Sequence, residues 1–256
     1  MTLLDSLILG VLEGFTEFLP ISSTGHLILA SELLQLPETA FLSTFMIAVQ
    51  VGAILAVVIT YWRSFLNLEI LKRLLVAFIP TGIIGFLLYS LIKSYLIGNE
   101  YVVVVALFVG GVALIAFELL HKENKATEEG IGRIRYRDAL LVGVFQSFAI
   151  VPGVSRSAAT IVGGLLLGLR RTTIVEFSFL LAVPTMLAAT GYDVLKNAGT
   201  FTGENLGLLT VGFLASFIVA LFSMKFLLAF VKRRNFIPFG IYRIVIAVLF
   251  VVVVLL

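Results

Sequence analysis

Glu13 and Glu17, followed by Ser22, Ser23, Thr24 and His26, lie within one stretch of fourteen residues, EGFTEFLPISSTGH at 13–26. A second polar knot, PGVSRSAAT at 152–160, carries Ser155, Arg156, Ser157 and Thr160. Two carboxylates four apart share one helix face and repel, so they call for a cation, a proton or an arginine. Hydroxyls and amides in a turn that opens a helix favour an anion. A histidine there can act as general base, as nucleophile towards phosphorus or as metal ligand. Arg156 offers a rigid fork matching two phosphate oxygens, although a plain salt bridge to Glu13 or Glu17 would also occupy it. A phosphate beside two carboxylates needs a divalent cation between them, and Mg²⁺ or Ca²⁺ takes such oxygen ligands. Glu13 and Glu17 are the expected metal ligands. Zinc is not expected, because the chain has no cysteine and His26 and His121 form no zinc-binding pair. His121, beside Lys122 and Glu123, reads as an ordinary helix-end residue.

These groups sit in a chain that is mostly oil. Of its 256 residues, 60% are hydrophobic and only 13% charged, against about a quarter charged in a soluble domain. The expected class is an all-α polytopic membrane protein with one integral-membrane domain over 1–256. The start, MTLLDSLILGVLEG, lacks a basic leader and a small-residue cleavage site, so it reads as mature protein. Six stretches have the roughly 20 apolar residues a spanning helix needs: about 40–61, 72–92, 101–121, 174–195, 206–231 and 237–256. Residues 3–35 and 138–169 are apolar but interrupted by the two knots, and each predicts a re-entrant helix hairpin.

The two interrupted regions match one another. Gly10-Val11-Leu12-Glu13 aligns with Gly143-Val144-Phe145-Gln146, Pro20 with Pro152, and Phe45 with Phe179, at offsets of 133, 132 and 134. The pattern predicts a duplication: repeat 1 at about 1–121, a cytoplasmic linker at about 122–137, and repeat 2 at about 138–256. Each half holds one re-entrant helix hairpin plus three transmembrane helices. Three is odd, so the second half enters from the opposite side, giving an inverted-topology repeat with its site near the midplane. Placing the 62–71 loop inside gathers thirteen Lys and Arg on the cytoplasmic side and leaves Lys93 and Lys196 outside. Both termini are then outside, and the hairpin tips can meet. Gly10-x-x-x-Gly14 and Gly164-x-x-x-Gly168 permit close helix approach, either tip to tip or in a homodimer.

With these residues in view, EGFTEFLPISSTGH and PGVSRSAAT resemble the two signature motifs of the bacterial undecaprenyl-pyrophosphate phosphatase family, associated with bacitracin resistance. The likeness runs along essentially the whole chain, including the glutamine of QSFAIVPG. It implies an inner-membrane hydrolase that converts a C55 polyprenyl pyrophosphate to its monophosphate, with a divalent cation and a site open to the outer face. It assigns the family's glutamates to Glu13 and Glu17, its first-motif serine and histidine to Ser23 and His26, and its arginine to Arg156. One departure is Ala158, where the family usually has glycine.

The resulting expectation places the headgroup on Arg156, Ser155, Ser157, Thr24 and Thr160 while the tail stays in lipid. Ser23 activated by His26 is the favoured nucleophile, and water activated by His26 or the metal is the alternative. Partners are then the polyprenyl pyrophosphate and the membrane, with no nucleic acid. The rival is a polyprenyl-phosphate flippase, since broken helices at the midplane are transporter architecture; it would need the anion-binding groups without a positioned nucleophile and base.

Overall fold

The computed structural model describes residues 1–95, 99–121, 130–196 and 205–255, so the linker segment 122–129, with Lys122 and Lys125, lies outside the described residues. The chain is helical, with no strand among the described residues. In chain order the helices are α1 (Leu3–Thr16), α2 (Ser23–Leu33), α3 (Ala40–Thr60), the short α4 (Trp62–Phe65), α5 (Leu68–Tyr95), α6 (Glu100–Leu120), α7 (Tyr136–Ser147), α8 (Arg156–Leu166), α9 (Arg171–Lys196), α10 (Leu206–Val231) and α11 (Ile237–Phe250).

The interrupted regions do fold as two short helices around a break. α1 has 14 residues, α7 has 12, and α2 and α8 have 11 each. At 1.5 Å per residue the longest of these covers about 21 Å, short of a hydrocarbon core of about 30 Å. A capping box starts α1: Thr2 Oγ1 accepts from the Asp5 amide and the Asp5 carboxylate accepts from the Thr2 amide. Both breaks end alike. Ser22 (φ 71°) caps α2 and Ser155 (φ 79°) caps α8, each side-chain oxygen accepting from the amide three residues on. That amide is Ala158's in the second hairpin, so the family's missing glycine costs the cap nothing.

Among the described residues, five helices are long and apolar enough to cross a membrane: 40–60, 68–88, 100–120, 171–191 and 206–231. The expected sixth span differs. The stretch from 237 is an apolar helix of 17 residues, Ile237–Val253, and from Val251 its backbone takes a π turn through Leu255. Four consecutive β-branched valines, poor helix formers, occupy that end.

The hairpins are held by helices from far along the chain. α1 packs on α10, α7 on α5, α3 on α10 and α11 on α6. The Gly10 and Gly14 face is spent here. A Cβ at Gly14 would lie 2.9 Å from Val219 Cβ and 3.0 Å from the Ala220 nitrogen of α10. Gly164 faces Ile174 of α9, and Gly168 (φ 81°) closes the turn after α8. Gly10, Gly14 and Gly164 therefore receive helices of the same chain. Gly14→Val should lower stability by on the order of 3 kcal/mol through overpacking against backbone; a thermal midpoint unchanged in detergent would contradict this packing.

Pro80 in α5 and Pro184 in α9 each remove one helical amide donor. The cavity described below is bordered by the residues around these two prolines.

Candidate active site

The two breaks meet. Ser157 Oγ, on the second hairpin, donates to the Leu19 carbonyl of the first at 2.7 Å, and Phe18 sits edge-on against Phe179 of α9. A cavity of about 490 Å³ opens beside this junction. Its polar wall carries Glu17, Ser22, Ser23, Thr24, Ser155 and Arg156, so α2 and α8 both begin at the cavity. Two helix N-termini on one cavity make an anion-receptive wall. The rest of the lining includes an apolar wall from α5 (Phe78, Gly82, Gly85 and Phe86) and α9 (Met186, Ala188 and Ala189).

Glu17 is the hub. Ser23 Oγ donates to Glu17 Oε2, in a short contact, while Arg156 Nη2 donates to Glu17 Oε1 at 3.0 Å. Arg156 Nη1 is tied to the Ser178 carbonyl at 2.8 Å, which fixes the guanidinium plane. The salt bridge weighed from sequence is thus present, and it joins the two hairpins. Among the described residues, three buried side-chain polar atoms lack a hydrogen-bond partner: both carboxylate oxygens of Glu13 and Nε of Arg156. Folded proteins leave few such atoms, and all three belong to residues of the two motifs.

Not every expected residue reaches the cavity. Ser157 and Thr160 are buried and spent on structure: Ser157 bridges the tips, and Thr160 Oγ1 donates to the Arg156 carbonyl at 2.9 Å. Glu13 is wholly buried one helical turn behind Glu17 and does not line the cavity. His26 faces the other way. Its Nδ1 lies 2.8 Å from the Ser22 carbonyl and its Nε2 lies 3.0 Å from the Tyr242 hydroxyl, with the two rings stacked. A carbonyl only accepts, so Nδ1 carries the proton, and Nε2 accepts from Tyr242 when the ring is neutral. The expected Ser23–His26 pairing is not formed; Glu17 holds the Ser23 hydroxyl instead. His121 stacks on Phe117 at a helix end, away from the site.

Three residues escaped the sequence reading. Gln50 of α3 lines the cavity. Tyr242 and Arg243 of α11 contact His26 and both tips. An arginine in the middle of an apolar stretch is the same kind of signal that singled out Glu13. Gln146, which the repeat aligns with Glu13, also borders the cavity, where its amide donates to Thr81 at 2.8 Å and Thr185 at 3.2 Å.

Fold and site together define an all-helical integral membrane protein with an anion-receptive cavity where two broken helix pairs touch. Its kin are clear: the family model described as bacitracin resistance protein BacA matches residues 6–249, and the chain belongs to that family. It is similar to the undecaprenyl-diphosphatase of Sulfurihydrogenibium sp. (strain YO3AOP1), 55% identical over 98% of both chains. The undecaprenyl-diphosphatase of Persephonella marina is 52% identical over the full length of both, and that of Aquifex aeolicus 50% over 98% of both.

Proposed function

We infer that this protein hydrolyses undecaprenyl pyrophosphate to undecaprenyl phosphate and inorganic phosphate, returning a lipid carrier to cell-wall synthesis. The observation that carries this reading is the Ser23 hydroxyl held by the Glu17 carboxylate at the wall of a cavity that also presents Arg156. A lipid carrier needs the cation and the hydroxyls; it has no use for an alcohol held by a base.

In the proposed course, Ser23 Oγ attacks the terminal phosphorus and its proton passes to Glu17 Oε2. The bond from that phosphorus to the bridging oxygen breaks, and undecaprenyl phosphate leaves with the bridging oxygen. Water then displaces the phosphate from Ser23 and regenerates the hydroxyl. Arg156, with Nε unspent, takes the terminal phosphate oxygens as its Nη2 is drawn from Glu17. Thr24 and the helix starts at Ser23 and Arg156 bind the remaining oxygens. The prenyl tail leaves along the apolar wall into lipid.

A divalent cation fits the donor set. Mg²⁺ uses one or two carboxylates and completes its shell with water and substrate phosphate, and Glu13 offers two buried oxygens without partners beside Glu17. Bound there, Mg²⁺ or Ca²⁺ would neutralise diphosphate charge and polarise the P–O bond. Among the described residues no group of three or more His, Asp and Glu side chains is placed to hold an ion, so water and substrate phosphate would have to complete its shell.

The same reading extends to topology: one domain, an inverted repeat, both termini outside the bacterial inner membrane, and a site open to the outer face. Supporting the repeat, Ser22 and Ser155 share their offset of 133 with the starts of α1 and α7 and of α2 and α8. Supporting a common cytoplasmic end, Arg73 donates to the Ile134 carbonyl, and Glu118 takes both Arg171 and the Phe236 amide.

The direct test is phosphate release from undecaprenyl pyrophosphate by purified protein in detergent, with and without Mg²⁺ or Ca²⁺. Metal-dependent release is expected; binding without release would move the protein to the carrier reading. A terminal phosphoryl group made chiral with oxygen isotopes and sulfur should be released with retained configuration, since two displacements occur. Inversion would replace Ser23 by water. Tyr242→Phe, which removes only the donor to His26, should cost about tenfold or less in kcat. A loss as large as that of a Ser23 variant would restore His26 to the chemistry.

A further inference from the structure

Among the described residues Arg243 is the largest wholly buried side chain, at 0% exposure. Among the described residues no carboxylate pairs with it. Its Nε donates to the Leu107 carbonyl at 3.3 Å, Nη1 to Pro20 at 3.3 Å and Val154 at 2.9 Å, and Nη2 to Ala106 at 3.0 Å and Gly153 at 2.8 Å. All five N–H donors of the fork are thus spent on five carbonyls from three separate segments. One is the first break, one the second, and one is α6.

Burying an unpaired charge is costly, and a membrane-depth arginine without a ligand or acid needs a reason. Two features show that the place is built for it. Gly110 of α6 has no side chain where a Cβ would overlap the guanidinium. Gly153 sits at φ 95°, with a Cβ position 2.6 Å from the Val103 carbonyl oxygen, so the second break lies flat on α6 with its own carbonyl turned to Arg243. Pro20 lies two residues before the Ser22 cap and Val154 one before the Ser155 cap, so the two clamped carbonyls directly precede the strained turns that aim Ser23 and Arg156.

We propose that Arg243 is a positioning residue that sets the spacing of the two hairpin tips, and through it the placement of Ser23 against Arg156. The proposal rests on the hydrolytic reading for its kinetic consequence, but not for its geometric one. Arginine is required because a lysine ammonium is a point donor and cannot reach carbonyls on three segments at once. The touching of substrate is left to Ser23, Glu17 and Arg156; Arg243 acts only through the backbone.

The experiment uses the full chain in detergent and joins two readouts. The sequence has no cysteine, so Phe15→Cys and Phe148→Cys, both exposed sites near the breaks, accept spin labels without background. Wild type should give one narrow label–label distance; Arg243→Lys and Arg243→Ala should broaden or shift it. In the unlabelled variants, kcat per folded molecule should fall about 100-fold, the penalty for misplacing reacting groups by about 1 Å. Millimolar guanidinium should recover at least tenfold of the Arg243→Ala loss, and methylammonium at equal ionic strength should not. Gly110→Ala, which displaces the guanidinium from the other side, should fall likewise and combine less than additively with Arg243→Lys. If Arg243→Ala proves unfoldable, the lysine and Gly110→Ala variants carry the same readouts. Unchanged distances and kcat within threefold of wild type in a folded variant would overturn the proposal. So would a loss of thermal stability with kcat per folded molecule unchanged. An inactive wild type would sink the hydrolytic reading instead, and the distance measurement would still decide the clamp.

Discussion

Glu17→Gln should abolish most phosphate release, with kcat falling by about four orders of magnitude, the upper end for a general base. Glutamine keeps the size and can still contact Ser23, so the loss isolates charge and proton acceptance. The substitution also removes the anionic partner of Arg156 Nη2, which frees the guanidinium for phosphate. Without added metal, substrate affinity should therefore hold or tighten, while metal-supported turnover collapses. That split separates Glu17 from a residue that merely binds, for which KM would rise with kcat preserved. Release within tenfold of wild type would remove Glu17 as the base and return the role to a metal-bound water.

Arg156→Lys should lower kcat/KM by about 10²- to 10³-fold, the range for losing one donor set aimed at transition-state charge. A lysine retains the positive charge near Glu17 but loses the fixed plane that the Ser178 carbonyl imposes. It also cannot offer a free donor at the position of Nε. Arg156→Ala should be worse by about a further tenfold, because Glu17 would be left buried without its cation. Equal activity for the lysine and alanine variants would mean that only charge matters. Wild-type activity in both would place phosphate recognition on the helix starts alone.

The two short helix pairs were legible because the physics is local. A dozen apolar residues, a proline and a serine-rich turn cannot span, and the structure breaks the chain there. The meeting of Glu17 with Arg156 was legible for a similar reason, since two opposite charges at membrane depth need each other. The contact of His26 with Tyr242 was not legible, because a turn histidine can face either neighbour and nothing near it in sequence reveals that α11 brings Tyr242 against it. Arg243 carries no topological signal, because a mid-helix arginine has no place in the balance of basic residues between the two sides of the membrane. The Gly10 and Gly14 face was legible as a site of close approach, but its partner, α10, lies some 200 residues downstream. The last span was read as full length because hydropathy does not register how poorly a run of valines holds an α-helix.

The packing of α1 on α10 and of α7 on α5 has a consequence for biosynthesis. A ribosome delivers the first hairpin long before α10 exists, so that hairpin enters the membrane with its glycine groove bare and its glutamates unanswered. Arg156 arrives next, and Arg243 only with the closing segment of the chain. Assembly is therefore a late event, governed by contacts of great sequence separation, and each nascent molecule passes through a stage in which two carboxylates sit exposed to lipid. A chain cut short before the last helix would lack the side chain that donates to the carbonyls of both tips.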